Sequence, residues 1–335
     1  MMREAGLAVE DSAITTTNGH EWTRMKSQKA PAQNSIASES GKPDAARMRR
    51  FWTGTLALLV GIILLSSLAA YPAWLLAEAL APDRWHFQRV FNRVLMLSTF
   101  ALLPVLAAAW KVRWRDIGLH APVGPAVRTA LLWFFAGAGM IGVLALWGAL
   151  WGFREPRFAL TLSRAVGHLA SGLAIGVAEE AIFRGFFFLA AWRLLAPRAP
   201  VQIALAGSAV FASVHFFIEV RGLPAEPGWG TGATLWIEWG RLLLSPEPLL
   251  TRWLALFLAG LLLCAVAARQ GHIWGAVALH AGWVFAIKTV HRLSRSSGGD
   301  SLWFSSDLLS GLWASCLLAL VLLALLRRPR PATAP

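Results

Sequence analysis

Charge is scarce in this chain, and acidic charge is scarcest. Only 15% of its 335 residues are charged, while 56% are hydrophobic. A water-soluble domain runs at about 25% charged and 45–50% apolar. An ordinary soluble globular protein is therefore excluded. Asp and Glu number 18 against 31 Lys and Arg, for a net charge of +13. The basic residues are spread over tails and short loops instead of one face. That pattern suits anchoring at a membrane surface and no nucleic-acid partner. Cysteine is nearly absent. Cys264 and Cys316 both sit in apolar runs, and no CxxC spacing occurs. A disulfide framework and a thiolate zinc site are thus excluded. No asparagine follows Asn92, which removes one common polar side chain from the later spans.

Long apolar runs are what the chain has. Mean hydropathy is +0.55. A bilayer crossing needs about 20 apolar residues. By that ruler the sequence predicts an all-α polytopic membrane protein with eight transmembrane helices, near 52–72, 91–110, 127–150, 165–194, 201–218, 252–268, 273–289 and 307–326. Many of the 18 tryptophans lie at run ends, among them Trp52, Trp110, Trp151 and Trp274, as an aromatic belt requires. Residues 1–46 are polar and aperiodic and read as a disordered tail; 47–330 form the membrane domain. Eight crossings put both termini on one side. Arginines at 47–50, 111–115 and 327–330 favour the cytoplasm for that side. The expected location is a bacterial cytoplasmic membrane. Between the fifth and sixth spans, 219–251 holds an apolar patch too short to cross, Leu235–Leu244. It reads as an interfacial helix, either a lid or a plain loop.

Three charges interrupt the fourth run: Glu179, Glu180 and Arg184. An ionisable residue at mid-membrane costs roughly 2.5–3.5 kcal/mol on insertion scales. Glu180 and Arg184 share a helical face at i, i+4 and can pair. Glu179 points about 100° away, free to face a cavity. Two histidines fall in other spans, His215 after Phe211 and His280 in Leu279–Trp283. Carboxylate and neutral imidazole suit a zinc site with one position left to water. They equally suit activation of water without metal. A buried ion-pair network that only fixes helix packing remains the plainer alternative.

Glu-Glu-x-x-x-Arg, then Phe-x-x-x-His, then a histidine motif, in order on successive spans, resembles the CAAX protease and bacteriocin-processing family of intramembrane proteases. The resemblance covers residues 165–290. It implies an endopeptidase that cuts near the C-terminal end of membrane-anchored or lipidated proteins or peptides. It implies that Glu179 and His215 activate water, that Glu180 and Arg184 orient the site, and that His280 binds a metal or stabilises the oxyanion. If the enzyme is zinc-dependent, the metal ligands are Glu179, His215 and His280. The cavity is then expected on the cytoplasmic side. The chain departs from the family at one position. The third motif is usually His-x-x-x-Asn, and Val284 stands where the Asn belongs. Trp283 and Lys288 are the nearby side chains able to supply the missing donor. The departure also admits a non-catalytic membrane scaffold or bacteriocin-immunity protein. A transporter using the charges as a relay is the third reading, opposed by a fourth span that runs without proline from Ala165 to Ala196.

Overall fold

The computed structural model describes residues 45–120, 123–195, 200–220, 223–245, 250–298 and 301–329. The expected tail lies outside them but for its last two residues. The chain is an all-α polytopic membrane protein. Its elements are α1 (Ala45–Leu80), α2 (Phe87–Trp110), a 3-10 turn (Trp114–Ile117), α3 (Val123–Leu150), β1 (Arg154–Pro156) and α4 (Leu162–Glu180). A π-helical stretch (Ala181–Ala190) and one closing α turn (Ala191–Leu195) extend α4. Then come α5 (Pro200–Val214) with a 3-10 turn (His215–Glu219), α6 (Thr231–Leu243), α7 (Leu250–Gln270), α8 (Trp274–Leu293), β2 (Ser294–Ser296) and α9 (Leu312–Arg327).

Each of the eight expected spans falls on a helix. Among the described residues, five helices are long and apolar enough to cross a membrane: Arg49–Leu80, Phe87–Trp110, Ala126–Leu150, Pro200–Glu219 and Leu250–Gln270. The other three are α4 with its carboxylates, α8 with His280 and Lys288, and the shorter α9. The last expected span begins late. Residues 307–311 form a turn, not helix, and α9 starts only at Leu312. Apolar side chains cover the outside of the bundle, with Leu56, Leu64, Leu68 and Leu76 of α1 and Leu131, Leu132 and Phe135 of α3 all exposed. Such surface is tolerable only against lipid.

α8 is the central helix, packed on both α3 and α4. Small residues let it come so close. A Cβ added at Gly282 would run into the Phe134 carbonyl oxygen, and one at Gly137 into that of Leu279. On the α4 side, Gly172 and Gly176 would meet the Ala281 and Val277 carbonyls at 2.8 and 2.9 Å. Lipid offers no hydrophobic gain for helix association, so close backbone packing through glycine carries it. The result is a rigid mount for His280.

Two short strands, not foreseen from the sequence, tie the ends of α3 and α8. β1 and β2 pair antiparallel, with Arg154 opposite Ser296 and Pro156 opposite Ser294. Arg154 is buried there. Its guanidinium donates to Ser294 Oγ at 2.8 Å and to the Ser306 carbonyl at 3.1 Å, which fixes the strap that leads into α9. α6 lies against α1 and the 3-10 turn after α5. Trp236 donates to Ser66 Oγ at 3.1 Å, and Trp239 donates to the Ser213 carbonyl at 2.8 Å.

Gly282→Val should separate α8 from α3. Overpacking of this kind costs about 1–3 kcal/mol. The thermal midpoint in detergent is expected to fall, and an unchanged midpoint would contradict the close-packing argument.

Candidate active site

The site forms where α4, α5, α7 and α8 meet. Glu179 and Glu180 end the α-helical part of α4, and the backbone turns π-helical at the next residue. A π segment widens the turn and re-aims side chains, and such segments recur at functional sites. The two carboxylates diverge. Glu180 is fully buried, while the Glu179 side chain keeps 26% exposure. Glu180 Oε1 accepts from Arg184 Nη1 at 3.0 Å and from His280 Nδ1 at 2.8 Å. Arg184 also donates to the Gly260 carbonyl at 3.3 Å, and its guanidinium lies 4.3 Å above the Phe211 ring. Thus Glu180, Arg184 and His280 form one sealed network across α4, α7 and α8. Breaking a buried pair by removing one partner costs about 3–5 kcal/mol.

His215 stands where α5 tightens into its 3-10 turn. Its Nδ1 lies 2.7 Å from the Phe211 carbonyl oxygen. A carbonyl only accepts, so Nδ1 carries the proton and Nε2 of the neutral ring offers its lone pair. The same logic fixes His280, whose Nδ1–H is spent on Glu180. Both Nε2 atoms face Glu179. His215 Nε2 is 3.7 Å and His280 Nε2 is 4.0 Å from Glu179 Oε2. That oxygen is buried and has no hydrogen-bond partner. Three acceptors therefore converge at distances too long for direct hydrogen bonds. A proton donor or a cation belongs between them.

The donor types suit zinc, but the spacing is wider than a zinc site needs. Two ligands at about 2.0 Å in tetrahedral array stand about 3.3 Å apart. Among the described residues, no three His, Cys, Asp or Glu side chains are arranged to hold a metal. A water molecule fits the convergence without that constraint.

Beside this cluster lies a cavity of about 220 Å³, walled by His215, His280, Val284, Arg252, Asp307 and Ser310 among others. Arg252 bridges Glu219 at 2.5 Å and Asp307 at 3.5 Å. Sequence reasoning missed Arg252, Asp307 and Ser310. Their only signal was a polar position beside an apolar run, which flanking residues commonly show. None of the lining residues comes from α6. α6 braces the turn that carries His215, and Asp307, Leu309 and Ser310 of the strap before α9 line the cavity. Lys288 is turned away, donating to Ser171 Oγ at 2.7 Å.

Residues 161–286 match the family model of type II CAAX prenyl endopeptidases, Rce1-like. No curated protein and no solved structure matches the chain. The matched segment contains Glu179, Glu180, Arg184, His215 and His280, and it agrees with the resemblance drawn from the three motifs. α1, α2, α3 and α9 lie outside it.

Arg184→Met leaves Glu180 as an unneutralised buried carboxylate. The variant should lose about 3–5 kcal/mol and unfold at a clearly lower temperature, whereas Glu179→Gln, at a partly exposed position, should keep the wild-type midpoint. Equal midpoints for the two variants would refute the division into sealed network and open carboxylate.

Proposed function

We propose that the protein is an intramembrane endopeptidase that hydrolyses a peptide bond near the C-terminal end of a membrane-anchored or lipidated substrate. One observation carries the reading. The orphaned Glu179 Oε2 faces two imidazole lone pairs beside a cavity. Water is the donor that satisfies such a set. Glu179 takes a proton as the water oxygen adds to the scissile carbonyl carbon. His215 holds the second O–H. That proton then passes from Glu179 to the amide nitrogen, the C–N bond breaks and the amine leaves; the second O–H proton goes to His215 Nε2 and on to solvent, and the acid product leaves as a carboxylate. His280 is fixed in ring orientation by Glu180, which Arg184 neutralises. A general base positioned this way typically contributes about 10²–10⁴ in rate. The family match supports the CAAX-type substrate class, and the intramembrane position of Glu179 supports a substrate held in the bilayer. No step here passes through a metal.

A second reading has one observation behind it. Val284 lines the cavity where the resemblance calls for an asparagine. A scaffold or immunity protein would retain the sealed network and lose catalysis.

The test compares C-terminal peptides of the membrane proteome between wild-type and Glu179→Ala strains. A small set of fragments found only in wild type, with the variant folded in the membrane, is the expected result. Identical peptide sets would favour the scaffold. The zinc alternative is separated by 1,10-phenanthroline. Processing by purified protein should survive it, and loss restored by zinc would make Glu179, His215 and His280 metal ligands.

Orientation follows from connectivity in this reading. With eight crossings, both chain ends share one face. The cavity is walled by the start of α7 and the strap before α9, which belong to the other face. With the arginine clusters marking the terminal face as cytoplasmic, this topology puts the cavity opening on the far side, whereas the family resemblance puts it on the cytoplasmic side. Single cysteines at Ser301 and at Pro329 should react with an impermeant maleimide from opposite sides. Labelling of both from one side would overturn the eight-span topology.

A further inference from the structure

Hydrolysis leaves negative charge on the scissile carbonyl oxygen, and the cluster described above has only acceptors to offer it. Polar groups around the cavity can be taken in turn. The Nδ1–H of His215 is spent on the Phe211 carbonyl, and that of His280 on Glu180. The Ser310 hydroxyl donates to Asp307 Oδ2 at 2.6 Å. Arg252 is held between Glu219 and Asp307. Arg184 is sealed behind Glu180. One donor is left. Trp283 lines the cavity, is only 2% exposed, and has a buried indole nitrogen with no acceptor.

A buried donor without a partner costs about 1–3 kcal/mol and calls for a reason. Other tryptophans show what the fold does by default. Trp74, Trp236, Trp239, Trp253 and Trp274 each donate to a protein oxygen. Trp110 and Trp147 are also unpaired, but neither lines the cavity. On α8, residues 280, 283, 284 and 287 form the single face that walls the cavity. Trp283 is thus one turn from His280, with ring centroids 6.2 Å apart. Val284 is its neighbour on that face and has no donor at all.

We infer that the indole N–H of Trp283 donates to the scissile carbonyl oxygen and stabilises the oxyanion, the task that Val284 cannot perform. This rests on the hydrolase reading above. As the water oxygen bonds to the carbonyl carbon, the carbonyl π pair moves onto oxygen, and the indole hydrogen bond strengthens. It relaxes when the C–N bond breaks and the carbonyl re-forms. The indole proton is never transferred.

The test uses the full-length protein in proteoliposomes. The probe is a quenched-fluorescent peptide bearing an alkylated cysteine three residues before its C-terminus. Trp283→Phe keeps an aromatic ring and removes the N–H. It should lower kcat about 10²–10³-fold, the usual effect of one lost oxyanion donor, and leave KM nearly unchanged, because the bond matters chiefly in the transition state. Adding Val284→Asn to Trp283→Phe should recover part of the rate. Wild-type kcat in a folded Trp283→Phe protein overturns the inference and leaves the hydrolase reading intact, provided Glu179→Ala is inactive. Equal rates for wild type and Glu179→Ala overturn the hydrolase reading itself. Should Trp283→Phe fail to fold, the wild type decides. A peptidyl phosphinate presents a tetrahedral oxyanion, and on its binding one ¹⁵N-indole proton resonance should move downfield. No indole shift on binding counts against Trp283.

Discussion

The constraint on which the site depends is that charge inside a bilayer must be neutralised and hydrogen-bonded. Glu180 meets it through Oε1, paired with Arg184 on its own helix and His280 from α8, all three nearly inaccessible, while its Oε2 is buried without a partner. This network fixes the rotation of α4 relative to α8. Because Glu180 is locked inward, Glu179, the next residue, is carried about 100° round the helix towards His215. One buried ion pair thereby frees a second carboxylate for chemistry. The glycine contacts of α8 with α3 and α4 keep that geometry from drifting, since backbone against backbone leaves no soft side chain to yield.

Proton placement follows from the same packing. His215 and His280 each spend Nδ1–H on a fixed acceptor, a carbonyl and a carboxylate. Each is left with an Nε2 lone pair aimed at Glu179. The fold thus assembles acceptors at one point and, among the described cavity-lining side chains, one buried unpaired donor, Trp283, on the neighbouring wall. In the proposed reaction the acceptors take the water molecule and the donor takes the developing oxyanion. The strap at 307–310 joins the cavity wall because Arg154 and the β1–β2 ladder hold its base.

Much of this was legible in the sequence for a simple reason. Membrane segments must be long and apolar, so the eight helices could be placed by length alone, and any charge inside one stands out. Glu179, Glu180, Arg184, His215 and His280 were visible as violations of that rule, and helical spacing alone paired Glu180 with Arg184. Residues that obeyed the rule stayed hidden. Arg252 sits at a span's first turn, where arginine is ordinary, and Asp307 and Ser310 lie in what read as the start of the eighth span but is a turn.

The sequence by itself determined the class of protein, the helices and the five polar residues, because hydropathy and the i, i+4 period are local properties. Only the tertiary structure decided which donors are spent. Trp283 and Lys288 were equal candidates along the chain. Lys288 reaches Ser171 on α4, and Trp283 keeps a free N–H at the cavity. Likewise α6 read equally as a lid or a plain interfacial segment; it packs on α1, and the strap before α9 lines the cavity. Such outcomes turn on which helix neighbours which, and that is fixed by backbone contacts between residues more than a hundred positions apart.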